Sequence, residues 1–151
     1  MTPATIAADL DAAVSDALDL FRGVDEKRTE ARPATGAWCA REILGHLVDS
    51  ACNNHRRFVV GQDPPSVVFQ GYDQDAWVER QRYADVPFRD IAALWAAYNR
   101  HLAHVIASTP PESLARSGEG PDGIVTLGFL MEDYVRHLRH HLEQLKALVT
   151  P

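Results

Sequence analysis

Residues 124–149 read IVTLGFLMEDYVRHLRHHLEQLKALV. Leu127, Leu130, Met131, Tyr134, Leu138, Leu142, Leu145 and Leu148 recur every three or four positions. That is the spacing of one face of an α-helix. The stretch therefore predicts a helix of about seven turns that buries one side and leaves the other in water.

The same period returns three times upstream. Pro3 to Phe21 carries Ile6, Leu10, Val14, Leu18 and Phe21, with Thr2-Pro3 as a helix start. Ala40 to Val60 carries Ile43, Leu44, Leu47, Ala51 and Phe58. Cys39-Ala-Arg-Glu42 has capping-box spacing, but a thiol is a weaker acceptor than the usual hydroxyl. Phe88 to Ser108 places Ile91, Leu94, Trp95, Tyr98, Leu102, Val105 and Ile106 on one face, and Thr109-Pro110-Pro111 stops it.

Between these lie connectors. Asp25 to Thr35 is polar, and Arg116 to Gly123 reads as a glycine-rich loop. Gly61 to Pro87 is punctuated by Pro64-Pro65, Gly71 and Pro87, and Asp73 to Gln81 reads as a short helix inside it. No strand-like alternation, repeat or low-complexity tract is evident. The pattern predicts an all-α four-helix bundle with a long connection between the second and third long helices, as one domain over residues 1–151.

Composition narrows the function. Fifteen Lys and Arg against 21 Asp and Glu give a net charge of −6, a poor match to nucleic acid or an anionic membrane. No stretch approaches the ~20 apolar residues of a membrane span, and Met1 to Asp9 does not read as a secretory leader. Cys39 and Cys52 would stand about 20 Å apart on one helix, too far to bridge. A reducing cytoplasm is the expected compartment.

Seven histidines are present, and their placement matters more than their number. His137 and His141 are four residues apart, about 40° on a helix, so their rings point the same way. Such a pair can share one transition-metal ion. It is equally a pair of ordinary helix histidines, one interior and one at the surface. His46, on the second helix, flanks the apolar face within a polar stripe of Glu42, Asp49, Ser50, Asn53 and Arg57. His140 and His104 point toward solvent, His101 is intermediate, and His55 lies opposite His46. No histidine has an acidic residue three positions before it, which disfavours a di-iron site. Cys-x-x-Cys, Gly-x-Ser-x-Gly and phosphate-cradling glycine loops are absent, and no side chain reads as a catalytic nucleophile.

Three segments together are familiar. Trp38-Cys-Ala-Arg-Glu-Ile-Leu-Gly-His46-Leu-Val-Asp49, Gly71-Tyr-Asp-Gln-Asp-Ala-Trp77 and His137-Leu-Arg-His-His141-Leu-Glu-Gln144 resemble the DinB/YfiT-like superfamily, over roughly residues 5–148. Cys39, where a serine cap is usual, departs from its pattern. The resemblance implies a four-helix bundle holding one divalent metal, nickel or zinc, on His46, His137 and His141. It implies a homodimer, and reactions in which a low-molecular-weight thiol meets a small-molecule electrophile.

Three neutral imidazoles leave a metal with open positions, as catalytic rather than structural sites do. Glu42, Asp49, Asn53 and Gln144 are candidates to orient a ligand histidine. Arg57 is a candidate for a substrate carboxylate. Tyr134, with Trp77 and Trp95, is a candidate pocket wall, although aromatic residues at this spacing also serve as plain core. Trp38 reads as a packing anchor. The functional readings are a thiol S-transferase in detoxification, a metal-dependent hydrolase, a non-catalytic metal- or ligand-binding bundle, and a structural bundle with adventitious metal affinity.

Overall fold

The computed structural model describes residues 1–63 and 67–151, so Pro64-Pro65 lies outside the described residues. Among the described residues there are five α-helices: α1 (Pro3–Phe21), α2 (Ala40–Val60), α3 (Gln74–Gln81), α4 (Phe88–Ala107) and α5 (Leu127–Val149). The four long ones form the bundle. Round it the order is α1, α4, α2, α5, each packing on the next and α5 closing on α1. Consecutive helices α1 and α2 thus take diagonal corners, as do α4 and α5. The two helices that carry the clustered histidines, α2 and α5, are neighbours.

The predicted faces account for the core. Ile6, Leu10, Leu44, Leu47, Phe58, Trp95, Leu102, Ile106, Met131, Leu138 and Leu145 are all essentially excluded from solvent. Leu94 is a correction: it was placed on the inward face of α4 but is 54% exposed.

The connectors are held by specific bonds. Residues 25–35 are not plain loop, because Glu26–Glu30 forms a 3₁₀ turn. The Glu26 carboxylate accepts from the backbone N–H groups of Phe88 and Arg89 at 3.0 and 3.1 Å. It caps α4, where Pro87 has no side-chain acceptor to offer. Buried Arg41 pairs with Glu26 at 3.0 Å and Glu30 at 2.9 Å. The short helix in the long connector is α3, capped by Asp73, whose Oδ1 accepts from the Ala76 N–H at 3.0 Å.

A small sheet corrects the reading of residues 116–126. Strands β1 (Val67–Val68), β2 (Ser117–Gly120) and β3 (Gly123–Thr126) form it in the order β1-β2-β3. Val67 pairs in parallel with Gly118, and Ser117 pairs antiparallel with Thr126. The sheet takes the predicted first turn of the last helix, which begins at Leu127. Only glycine fits at 118: a Cβ there would stand 2.4 Å from the Val67 carbonyl oxygen and 2.5 Å from the Phe69 ring. Among the described residues, no helix is long and apolar enough to cross a membrane.

Candidate metal centre

His46 projects from α2, and His137 and His141 project from successive turns of α5. The Nε2 of His137 lies 3.3 Å from Nε2 of His46 and 3.1 Å from Nε2 of His141. One ring nitrogen from each of the three lies within 4.8 Å of the others. Among the described residues, no other three histidine, cysteine or acidic side chains converge this way.

The donor set fits a divalent transition ion. With metal–nitrogen bonds of about 2.0–2.1 Å, the edge of a tetrahedron is about 3.3–3.4 Å, close to the observed nitrogen separations. The rings are also in the protonation state a metal requires. Burial, reinforced by the other two rings, pushes His46 down to about 3. Burial, then His141, pushes His137 down to about 4. Burial lowers His141 as well. Neutral imidazoles keep a lone pair to donate.

Gln144 holds one ring in place. Its Oε1 lies 2.8 Å from His141 Nδ1. An amide oxygen only accepts, so Nδ1 carries the proton and the Nε2 lone pair faces the other two rings. The Gln144 amide N–H donates in turn to Nε2 of exposed His140 at 3.1 Å. Trp38 lies over His46 with ring centroids 5.1 Å apart and planes tilted by 36°. It does more than anchor the helix, and its position beside His46 was not legible in the spacing.

The other candidate residues are dispersed. Glu42 turns away from the rings: it accepts from the Cys39 N–H at 2.9 Å and forms a two-point pair with Arg32 at 2.6 and 2.8 Å. It is a capping residue, and the Arg32 pairing lowers its pKa against the opposing effect of burial. Asn53 bonds back to its own helix, donating to the Asp49 carbonyl at 2.9 Å. Asp49 is buried, but its Oδ1 accepts from Tyr83 Oη and Gln81 Nε2, both at 2.7 Å, and from no imidazole. Burial raises its pKa. Tyr83 and Gln81 come from the long connector, where no periodicity pointed to them. Nδ1 of His46 and Oδ2 of Asp49 have no protein partner.

Two cavities lie near the cluster, and only the smaller has one of its rings in its wall. The larger, about 510 Å³, is lined by Trp38, Ile43, Ala147, Leu148, Gln74 and Gln144 among others. It includes the residue that covers His46 and the one that orients His141. The smaller, about 150 Å³, is polar and includes His137, Arg57, Tyr72, Asp133, Tyr134 and Gln74 in its wall. Tyr134 is in that wall, while its hydroxyl donates to Asn99. Trp95 is wholly buried and packs edge-on against Phe21, so it is core. Tyr72 packs on Trp77, with ring centroids 5.2 Å apart.

His140 packs against His141, with ring centroids 5.3 Å apart, whereas His55, His101 and His104 are not among the converging residues. His101 and His104 are exposed, and His55 Nδ1 lies 3.0 Å from the Tyr98 hydroxyl. Both cysteines are free.

The chain is similar to several bacterial proteins. A protein of Oceanobacillus iheyensis, provisionally named a metal-dependent hydrolase, is 25% identical over 115 residues, 76% of this chain and 66% of its own length. YfiT of Bacillus subtilis, named in the same way, is 29% identical over 117 residues, 75% of this chain and 65% of its own. The chain thus spans about two thirds of the length of these two relatives. The solved structure of B. subtilis YfiT, described as a four-helix bundle of unusual topology, matches with a TM-score of 0.79 at 21% identity. That match covers 97% of this chain and 83% of the other. The DinB superfamily profile matches residues 9–145, more than half of the sequence. The chain belongs to the DinB superfamily.

Proposed function

We propose that His46, His137 and His141 hold one divalent cation, nickel or zinc, through their Nε2 atoms. We further propose that the protein joins a low-molecular-weight thiol to a small-molecule electrophile, in a detoxifying role. The convergence of the three Nε2 atoms carries the metal assignment. A divalent ion there supplies a Lewis acid that lowers the pKa of a bound thiol or water.

The chain's own residues set the stage around it. Gln144 fixes the tautomer of His141, Trp38 covers His46, and burial keeps all three rings unprotonated. The converging residues are all histidines, and in this reading the nucleophile is the bound thiol. One cavity includes His137 in its wall and the other includes Trp38 and Gln144, which touch His46 and His141; they share only Gln74, which supports two reactants rather than one. In the reaction, the thiol sulfur bonds to the electrophilic carbon. The leaving group departs with the bonding electron pair, and the thiol proton passes to solvent.

A hydrolase is the second reading, favoured by the names of the relatives. Water then takes the place of the thiol at the same centre. The family resemblance adds a homodimer, which sedimentation reads directly. The two free cysteines fit a reducing cytoplasm.

Elemental analysis of protein purified without chelator tests the site. About one divalent ion per chain is expected, lost in His137→Ala with helical content intact. Full retention in that variant overturns the assignment. A chlorodinitrobenzene conjugate formed only when thiol is added supports transfer. Thiol-independent cleavage of ester or amide substrates supports hydrolysis. Neither product from metal-loaded protein supports a non-catalytic binding bundle.

A further inference from the structure

Arg57 sits in an unusual electrostatic position. It is about half-buried, in the wall of the small polar cavity that also contains His137. Its Nη2 donates to the Gln70 carbonyl oxygen at 2.7 Å, and its Nη1 reaches Asn54 Oδ1 at 3.3 Å. Its Nε is buried with no protein partner. Among the described residues, no carboxylate lies within ion-pair distance of this guanidinium. The acid in the same wall, Asp133, is paired with Arg136 instead.

A guanidinium removed from water, with only neutral hydrogen-bond partners and Asp133 acting on it across the cavity without an ion pair, bears a desolvation cost that a bound anion would offset. The lowered pKa of Arg57, caused first by burial, agrees with that cost. Its planar fork suits a carboxylate. The two cavities also differ in character. The larger one has Trp38, Ile43, Ala147 and Leu148 in its wall and suits an apolar electrophile. The smaller one presents Ser50, Asn54, Arg57 and Tyr72 beside His137 and suits a compact polar reactant.

We infer that Arg57 selects the thiol: the thiol carries a carboxylate, which the Arg57 guanidinium binds while the sulfur lies at the histidine cluster. This rests on the thiol-transfer reading above. Arg57 is a specificity residue, and Asp133 is the opposing charge that limits how strongly an anion is held.

Isothermal titration of zinc-loaded protein with 3-mercaptopropionate and with its neutral amide, 3-mercaptopropionamide, tests the inference without any turnover. The two probes differ only in the carboxylate. A charge-assisted pair predicts that the acid binds about ten- to a hundredfold more tightly than the amide. Arg57→Gln should bring the ratio close to one, chiefly by weakening the acid, while leaving zinc content unchanged. Asp133→Asn should keep or increase the ratio. Equal affinities in the wild-type protein overturn the role of Arg57 and leave the thiol reading standing, and this comparison needs no variant to fold. Failure of both thiols to bind overturns the thiol reading, and this inference with it.

Discussion

The ring of Tyr83 lies against the backbone of Gly45, so closely that a Cβ at residue 45 would stand 2.2 Å from two of its carbons. Gly45 immediately precedes His46, and the same tyrosine donates its hydroxyl to Asp49 one turn further along α2. The end of the long connector is thereby seated on the helix turn that presents a histidine of the cluster. Gly45→Ala measures that contact. Alanine gains about 1 kcal/mol of helix propensity over glycine. A buried ring with its hydroxyl bonded cannot retreat by more than an ångström, so overpacking of about 1–3 kcal/mol should win. We expect a lower midpoint in urea and weaker metal binding. An unchanged or higher midpoint would show that the connector is free to shift.

Gln144 is exposed, so replacing it should leave stability alone and act on the site. Gln144→Leu removes the acceptor that keeps the proton on His141 Nδ1. Loss of an orienting partner of this kind lowers metal affinity about 10–100-fold. Competition with a calibrated chelator reads the change. Wild-type affinity in the variant would mean that packing alone aligns the ring.

The metal-free protein should lose stability as pH falls from about 6.5 toward 5. Unfolded imidazoles titrate near 6.5, whereas burial holds His46 at about 3 and His137 at about 4 in the fold. In that window the unfolded chain binds protons that the folded chain does not, so stability declines with falling pH. Above about 6.5 both states are neutral at these rings and their contribution is constant. Urea melts at pH 7.5, 6.5 and 5.5 after metal removal give the slope. His137→Ala should make it shallower, and a flat wild-type profile would contradict burial of the neutral rings.

The long helices were legible because amphipathic periods exceeding five turns leave little choice of structure. The bounds of α1 and α2 match their periodic stretches, and α4 ends one residue early. The sheet was not legible: β2 is Ser-Gly-Glu-Gly, with no side-chain alternation to read, and its pairing depends on Gly118 meeting a chain segment fifty residues away. Helical spacing put His137 and His141 together, but it could not tell a polar stripe facing the rings from one facing elsewhere. Glu42 and Asn53 lie in the same stripe as His46 and bond locally instead, because a capping N–H and a carbonyl one turn back are nearer than any imidazole. Asp49 was taken up by Tyr83 and Gln81, residues whose approach depends on the path of the connector.

Cys39 offers the last test, because it is a weak cap in a buried place. It precedes α2 with extended backbone and is fully excluded from solvent. One half of the box is strong: Glu42 accepts from the Cys39 N–H at 2.9 Å. The other half depends on a thiol, which burial keeps protonated and which accepts poorly. Serine is nearly the same shape and would present a hydroxyl to the Glu42 N–H. A good N-cap is worth about 0.5–2 kcal/mol over none. Part of that is offset by exchanging a buried sulfur for oxygen, although the hydroxyl would enter already hydrogen-bonded. We expect Cys39→Ser to stabilise the chain by about 0.5–1 kcal/mol, which corresponds to a rise in Tm of about 1–4 °C for a protein of this size. Metal content should not change, since Cys39 is not among the converging residues. A fall in Tm would mean that the packing of the buried sulfur outweighs the cap.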